Sequence, residues 1–77
     1  MNKYYELTIK HLPRNSKFIN CSISNGIGII QTDLMMRGLD IPKITPPVFM
    51  DMVYNRDCLR NDLRELITNG DIIIRPI

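Results

Sequence analysis

Apolar and polar residues alternate along the first third of the chain, and then the period changes. Over 3–11, Tyr5, Leu7 and Ile9 take one side and Glu6, Thr8 and Lys10 the other, the two-residue repeat of a half-buried strand. Leu12-Pro13-Arg14-Asn15-Ser16 interrupts it, because Pro13 has no N–H to give a sheet and Asn15-Ser16 favour turns. The alternation resumes over 18–24, with Ile19, Cys21 and Ile23 inward and Asn20, Ser22 and Ser24 outward. Asn25-Gly26 then predicts a tight hairpin, since a type I′ turn needs positive φ at both central residues. Residues 27–31 become the return strand, Ile27 and Ile29 sharing a face and Gly28 marking a bulge or a close backbone approach.

Beyond residue 32 the repeat is helical. Thr32-Asp33 caps a short helix over 33–37 that stops at Gly38. Residues 39–44 form a loop around Pro42. Thr45 is then an N-cap, with Pro46 and Pro47 in the first turn, where their missing N–H groups have no helical partner anyway. The main helix is read over 46–68, with Phe49, Met52, Val53, Leu59, Leu63, Leu66 and Ile67 recurring at three- and four-residue steps. Arg56 interrupts this stripe. The alternative is a break at Asn55-Arg56-Asp57, with Asp57 capping a second helix over 58–68. Asn69-Gly70 ends the helix, and Ile72, Ile73 and Ile74 make a last strand, stopped by Pro76 and read as covered on both faces or inside a sheet. The expected fold is a single α+β domain over 1–77, in the order β-β-β-α-α-β, with a small antiparallel or mixed sheet covered by one dominant C-terminal helix.

Length and composition narrow the function more than they name it. A chain of 77 residues buries about 60% of the surface its unfolded form exposes, so its stability alone is expected to be marginal. With 44% hydrophobic and 23% charged residues it is globular in composition rather than disordered. No apolar run approaches the ~18 residues of a membrane helix, so no membrane partner is expected, and Met-Asn-Lys-Tyr-Tyr-Glu does not read as a secretory signal. Isoleucine occurs 13 times and alanine never, a bias towards AT-rich codons that phage genes share with other sources. Cys21 and Cys58 match no zinc or redox spacing and His11 stands alone, so no metal or cofactor is expected and the thiols are read as reduced. The expected compartment is the cytoplasm, or a virion if the source is viral.

No motif reaches a family signature, and no acid–base pair, nucleophile constellation or phosphate loop appears; Gly26-Ile27-Gly28 lacks the third glycine of a dinucleotide fingerprint. His11 beside Leu12-Pro13 reads as a strand-end surface residue. The expectation is a non-enzymatic protein-interaction or assembly module that binds a protein partner or itself. A small viral or phage structural subunit, or an inhibitor of a host protein, fits that description. Its candidate surface is the segment 35–52, where Met35, Met36, Ile41, Ile44, Phe49 and Met50 gather flexible thioethers and apolar groups around a proline loop. Met50 and Met52 fall on opposite sides of a helix, so one of them is exposed if the other is buried. The opposing reading is core filler in a chain without alanine.

The alternative function is a nucleic-acid-binding accessory protein. The net charge of +2 is too small to imply it, but residues 1–31 carry +3 through Lys3, Lys10, Arg14 and Lys17 against Glu6. Arg56, Arg60 and Arg64, four apart, would add a cationic row along the main helix.

Overall fold

The computed structural model describes residues 4–12 and 16–77. Within them the chain runs β1 (Tyr5–Ile9), β2 (Ser16–Cys21), α1 (Ile23–Met36), α2 (Pro46–Tyr54), a 3-10 turn (Arg56–Cys58), α3 (Asn61–Thr68) and β3 (Ile72–Pro76). The strands form an antiparallel sheet of order β2-β1-β3. β1 lies at its centre, and the alternation read there decides which way it faces: Tyr5, Leu7 and Ile9 are fully buried, Glu6 and Thr8 only partly. The helices cover the Tyr5–Leu7–Ile9 face. Phe49 of α2 meets Tyr5 edge-on, with ring centroids 5.2 Å apart at 82°. Ile30 and Leu34 of α1, Leu63 and Ile67 of α3 and Ile72 of β3 complete the core.

The expected hairpin at Asn25-Gly26 and the strand over 27–31 do not form; α1 occupies both. Ser22 decides this locally. Its Oγ accepts from the N–H of Asn25 (3.1 Å) and its carbonyl from that of Gly26 (2.8 Å), the start of a capped helix. Ile23, Ile27, Ile30 and Leu34, at steps of four, three and four, then lie along one helical face. Gly26 has no turn conformation. It is where α1 meets α2: a Cβ there would stand 2.9 Å from Cε2 of Phe49.

β2 also departs from the expected phase. Leu7 pairs with Phe18 but Tyr5 with Cys21, so one extra residue is inserted between them, and Asn20 takes φ 59°. The bulge puts Phe18 and Cys21 against the core and leaves Ile19, expected inside, 62% exposed. Ile23 lies in α1. The turn read over 12–16 falls mostly on 13–15, outside the described residues.

The 46–68 helix is two helices joined by the 3-10 turn, so no single helix dominates. Continued helically, Arg56 would follow Phe49 by seven residues and sit within ~20° of it, at the centre of the apolar stripe. The break removes that conflict. Asn55 leaves the helical region (φ −137°, ψ 64°), Leu59 and Arg60 are extended, Arg56 is exposed, and Leu59 still reaches the core. Asp57 lies inside the 3-10 turn and caps nothing. Arg60 is the N-cap of α3, and Asp62 in its first turn accepts from the N–H of Leu63 (2.9 Å).

The helix ends do follow the glycines. Gly38 and Gly70 have φ of 72° and 76°. At each, two carbonyls of the last turn are bonded backwards, Leu39 to Leu34 and Gly38 to Met35, then Asp71 to Leu66 and Gly70 to Ile67. Thr45 precedes α2 as expected, with Pro46 and Pro47 in the first turn, though its hydroxyl makes no cap bond. β3 is an edge strand rather than an inner one: Ile72 is buried, while Ile73 and Ile74 are half-buried.

Candidate interaction surface

Because β2 bulges outward and α1 runs past it, a groove of about 630 Å³ opens between them. Ile19, Cys21, Asn25, Gly28, Ile29 and Met36 are among its walls. Its α1 side is unusual for a surface helix. The exposed positions Ser24, Asn25, Gly28, Thr32, Met35 and Met36 carry no charge, and the one charged residue of the helix, Asp33, points inward. Ile19 on one rim and Met36, 78% exposed, on the other leave apolar side chains in water. Burial pushes the Cys21 thiol up, which makes it a poor nucleophile.

One end of the groove is fixed by a polar cluster. Asp33, 3% exposed in its side chain, lies 2.5 Å from His11 Nε2 through Oδ1 and 2.8 Å from Arg37 Nη2 through Oδ2. The second contact is an ion pair without hydrogen-bond geometry, and Arg37 Nε finds no partner among the described residues. Arg37 also donates from Nη1 and Nη2 to the two oxygens of Asp71, both at 2.8 Å. The Asp71 bonds hold the Arg37 guanidinium more firmly charged than usual, against its burial. Those same bonds hold the Asp71 carboxyl below the ordinary range, and His11 and Lys10 add to that lowering. The cluster ties the end of β1, the C-terminus of α1 and the turn before β3 together. His11 is therefore more than a strand-end surface residue. The Asp33–Arg37 spacing of four is the one part of this cluster that could be read from the sequence; Asp71 and His11 join only through the fold.

The structure separates the residues expected to form the Met/Pro surface. Met35 and Met36 are exposed. Ile41 and Met50 are half-buried, the latter's Sδ 3.6 Å from the Tyr5 hydroxyl, while Met52 is buried, so Met50 is the more exposed of that pair. Ile44 and Phe49 are core residues, and a single patch of the six does not form. Ile44 goes inside because its N–H donates to Gln31 Oε1 (2.7 Å), drawing the proline loop onto α1. The groove residues Phe18, Ile19, Gly28 and Ile29 cannot be read from the sequence, because they come together only through the bulge in β2 and the helical course of 27–31.

The basic residues are likewise dispersed. Lys3 and Arg14 lie outside the described residues. Lys10 runs over Gly70, and Lys17 lies 3.9 Å from Glu6, paired in register with Thr8 and so on the sheet face away from the helices. Arg56, Arg60 and Arg64 form no row, because the helix that would align them is broken; Arg60 pairs with Asp62 and Arg64 with Asn61.

Among the described residues no helix is long and apolar enough to cross a membrane, and no group of three or more acidic, His or Cys side chains could hold a metal ion. No family model, curated protein or solved structure matches the chain.

Proposed function

We propose that this chain is a non-enzymatic protein-interaction module that docks a protein on the face formed by α1 and β2. One observation carries the reading: a solvent-facing helix surface without a single charge, beside an apolar groove, in a chain where 23% of residues are charged. Surface helices normally place their charges on the outer face. An uncharged outer face with exposed Ile19 and Met36 is what a contact surface requires, because desolvating charge opposes docking. The two free cysteines suit a reducing setting such as the cytoplasm or the inside of a virion. A subunit of a viral or phage assembly, or an inhibitor of a host protein, is a role this surface could serve.

The test is site-specific photo-crosslinking in the native host. A photoreactive residue at Thr32, in the groove wall, is expected to trap a protein, while one at Glu65 on the exposed side of α3 is not. No product from Thr32, or equal products from both, would count against the reading.

A further inference from the structure

We infer that the occupant of this face is a second copy of the chain, its α1 crossing α1 antiparallel near Gly28 and Thr32. This rests on the reading that the α1–β2 face is an interaction surface, and adds the identity of what covers it.

The first reason is that bulk and space match end for end. Met36, at the C-terminal end of the groove, projects into solvent, while Ser24, Asn25 and Gly28 leave room beside Ile19 and Asn20 at the other end. A two-fold crossing that sets Gly28 opposite Thr32 sets Ser24 opposite Met36. Each flexible thioether then enters the roomy end of its neighbour's groove.

The second reason is charge. A two-fold contact brings like surface to like surface, so any charge near its centre faces its own sign. The exposed positions of α1 have none, and Lys17, the nearest described cation on β2, points to the helix-free side of the sheet. The face is therefore complementary to itself in a way that a charged helix face is not.

The third reason is what the edges exclude. β2 is interrupted by the Asn20 bulge, and β3 ends in Pro76, which has no N–H to donate. Both devices oppose the addition of a strand. Helix packing is the mode left open. Gly28 agrees with it: among the described residues nothing lies within 4 Å of the Cβ it lacks, its φ is not positive, and a glycine in mid-helix weakens the helix. Gly26 is required by Phe49; nothing among the described residues requires Gly28.

Area is sufficient. A standard interface covers about 800 Å² per partner, roughly a sixth of this chain's 5042 Å² surface. The 14 residues of α1 make a helix about 21 Å long in a molecule 31 × 29 × 20 Å across, and the β2 flank lies beside it.

Sedimentation velocity on the full chain, over concentrations from about 1 to about 500 µM, tests the inference. The expected result is a particle of 9.0 kDa that gives way to one of twice that mass as concentration rises. Met36→Lys and Gly28→Leu, both at exposed positions, should each raise the dissociation constant about tenfold or more, with the far-ultraviolet circular dichroism unchanged. Glu65→Lys should leave it unaltered. A particle that stays monomeric throughout overturns the inference, as does a dimer indifferent to both groove variants. The Thr32 crosslinker then separates the two failures. A product with a different protein leaves the interaction surface standing and the second copy refuted; no product at all removes both.

Discussion

Two glycines two residues apart on α1 make opposite demands. At Gly26 an added methyl would stand 2.9 Å from the Phe49 ring, which is fully buried and held against Tyr5. Gly26→Ala gains helix propensity, about 1 kcal/mol, but must displace that ring, and overpacking of this kind costs about 1–3 kcal/mol. At Gly28 the methyl meets none of the described residues, so Gly28→Ala should stabilise the monomer by about 0.5–1 kcal/mol. Urea denaturation of both variants at low micromolar concentration measures the contrast, and shifts of the same sign would show that α1 and α2 are not packed as described. Arg37 is a third decisive residue. Arg37→Leu leaves the buried Asp33 with only His11 beside it and removes both bonds to Asp71, a loss of up to about 3–5 kcal/mol. A chain of this length is stable by only about 4–12 kcal/mol, so the variant should be largely unfolded in mild urea.

At the scale of elements, Arg37 and Asp71 join two helix ends of the same kind. Arg37 caps α1 just before Gly38, and Asp71 follows Gly70 at the end of α3. The pair thus fixes the direction in which β3 leaves α3, and the carbonyl of Asp71 accepts from the N–H of Lys10 (2.9 Å), which anchors β3 beside β1. Because the carboxyl of Asp71 is held low by Arg37, its contribution to stability is complete above the unfolded value, near 4, and disappears as pH falls through the lower folded value. Arg37, held high, would lose its contribution only in strong alkali. Acid should therefore loosen the α1–β3 junction below about pH 4, and Asp71→Asn should flatten that part of the stability-against-pH curve. Amide exchange at Lys10 and at Ile73, which faces Thr8 in the ladder, followed down the pH scale with correction for intrinsic rates, checks it; an unchanged acid limb in Asp71→Asn would refute the assignment. Elements with local punctuation were legible: β1 from its alternation, the ends at Gly38 and Gly70, and α2 from Thr45-Pro46-Pro47. Where two local signals compete, the sequence does not choose between them. Asn25-Gly26 suits a hairpin, yet Ile23, Ile27, Ile30 and Leu34 also suit a helix, and the Ser22 cap together with Phe49 packing on Gly26 decides for the helix. The Asn20 bulge has no marker strong enough to read, and with it went the groove. Ile44 reads as a surface residue because nothing local says that Gln31 draws the loop inward.

At the scale of the molecule, small size and an uncharged face act together. A fold stabilised by only a few kcal/mol is measurably helped by anything that binds its native form, so dimerisation through α1 should make thermal stability depend on concentration. For a hundredfold rise in protein concentration, Tm is expected to increase by roughly 5–10 °C. Met36→Lys should abolish most of that rise without lowering Tm at the dilute end, because the side chain it replaces lies in solvent in the monomer. Salt gives a second handle. A contact without charged groups at its centre is barely screened, so the concentration dependence should persist between low and moderate ionic strength. Binding of DNA or RNA through Lys10 and Lys17 would behave in the opposite way, falling steeply as salt displaces the cations from phosphate. Differential scanning fluorimetry across a grid of protein and salt concentrations therefore distinguishes the two kinds of association. A Tm that rises with protein concentration at every salt level belongs to the α1 face, and a Tm that responds only to added oligonucleotide, and only at low salt, belongs to the basic residues.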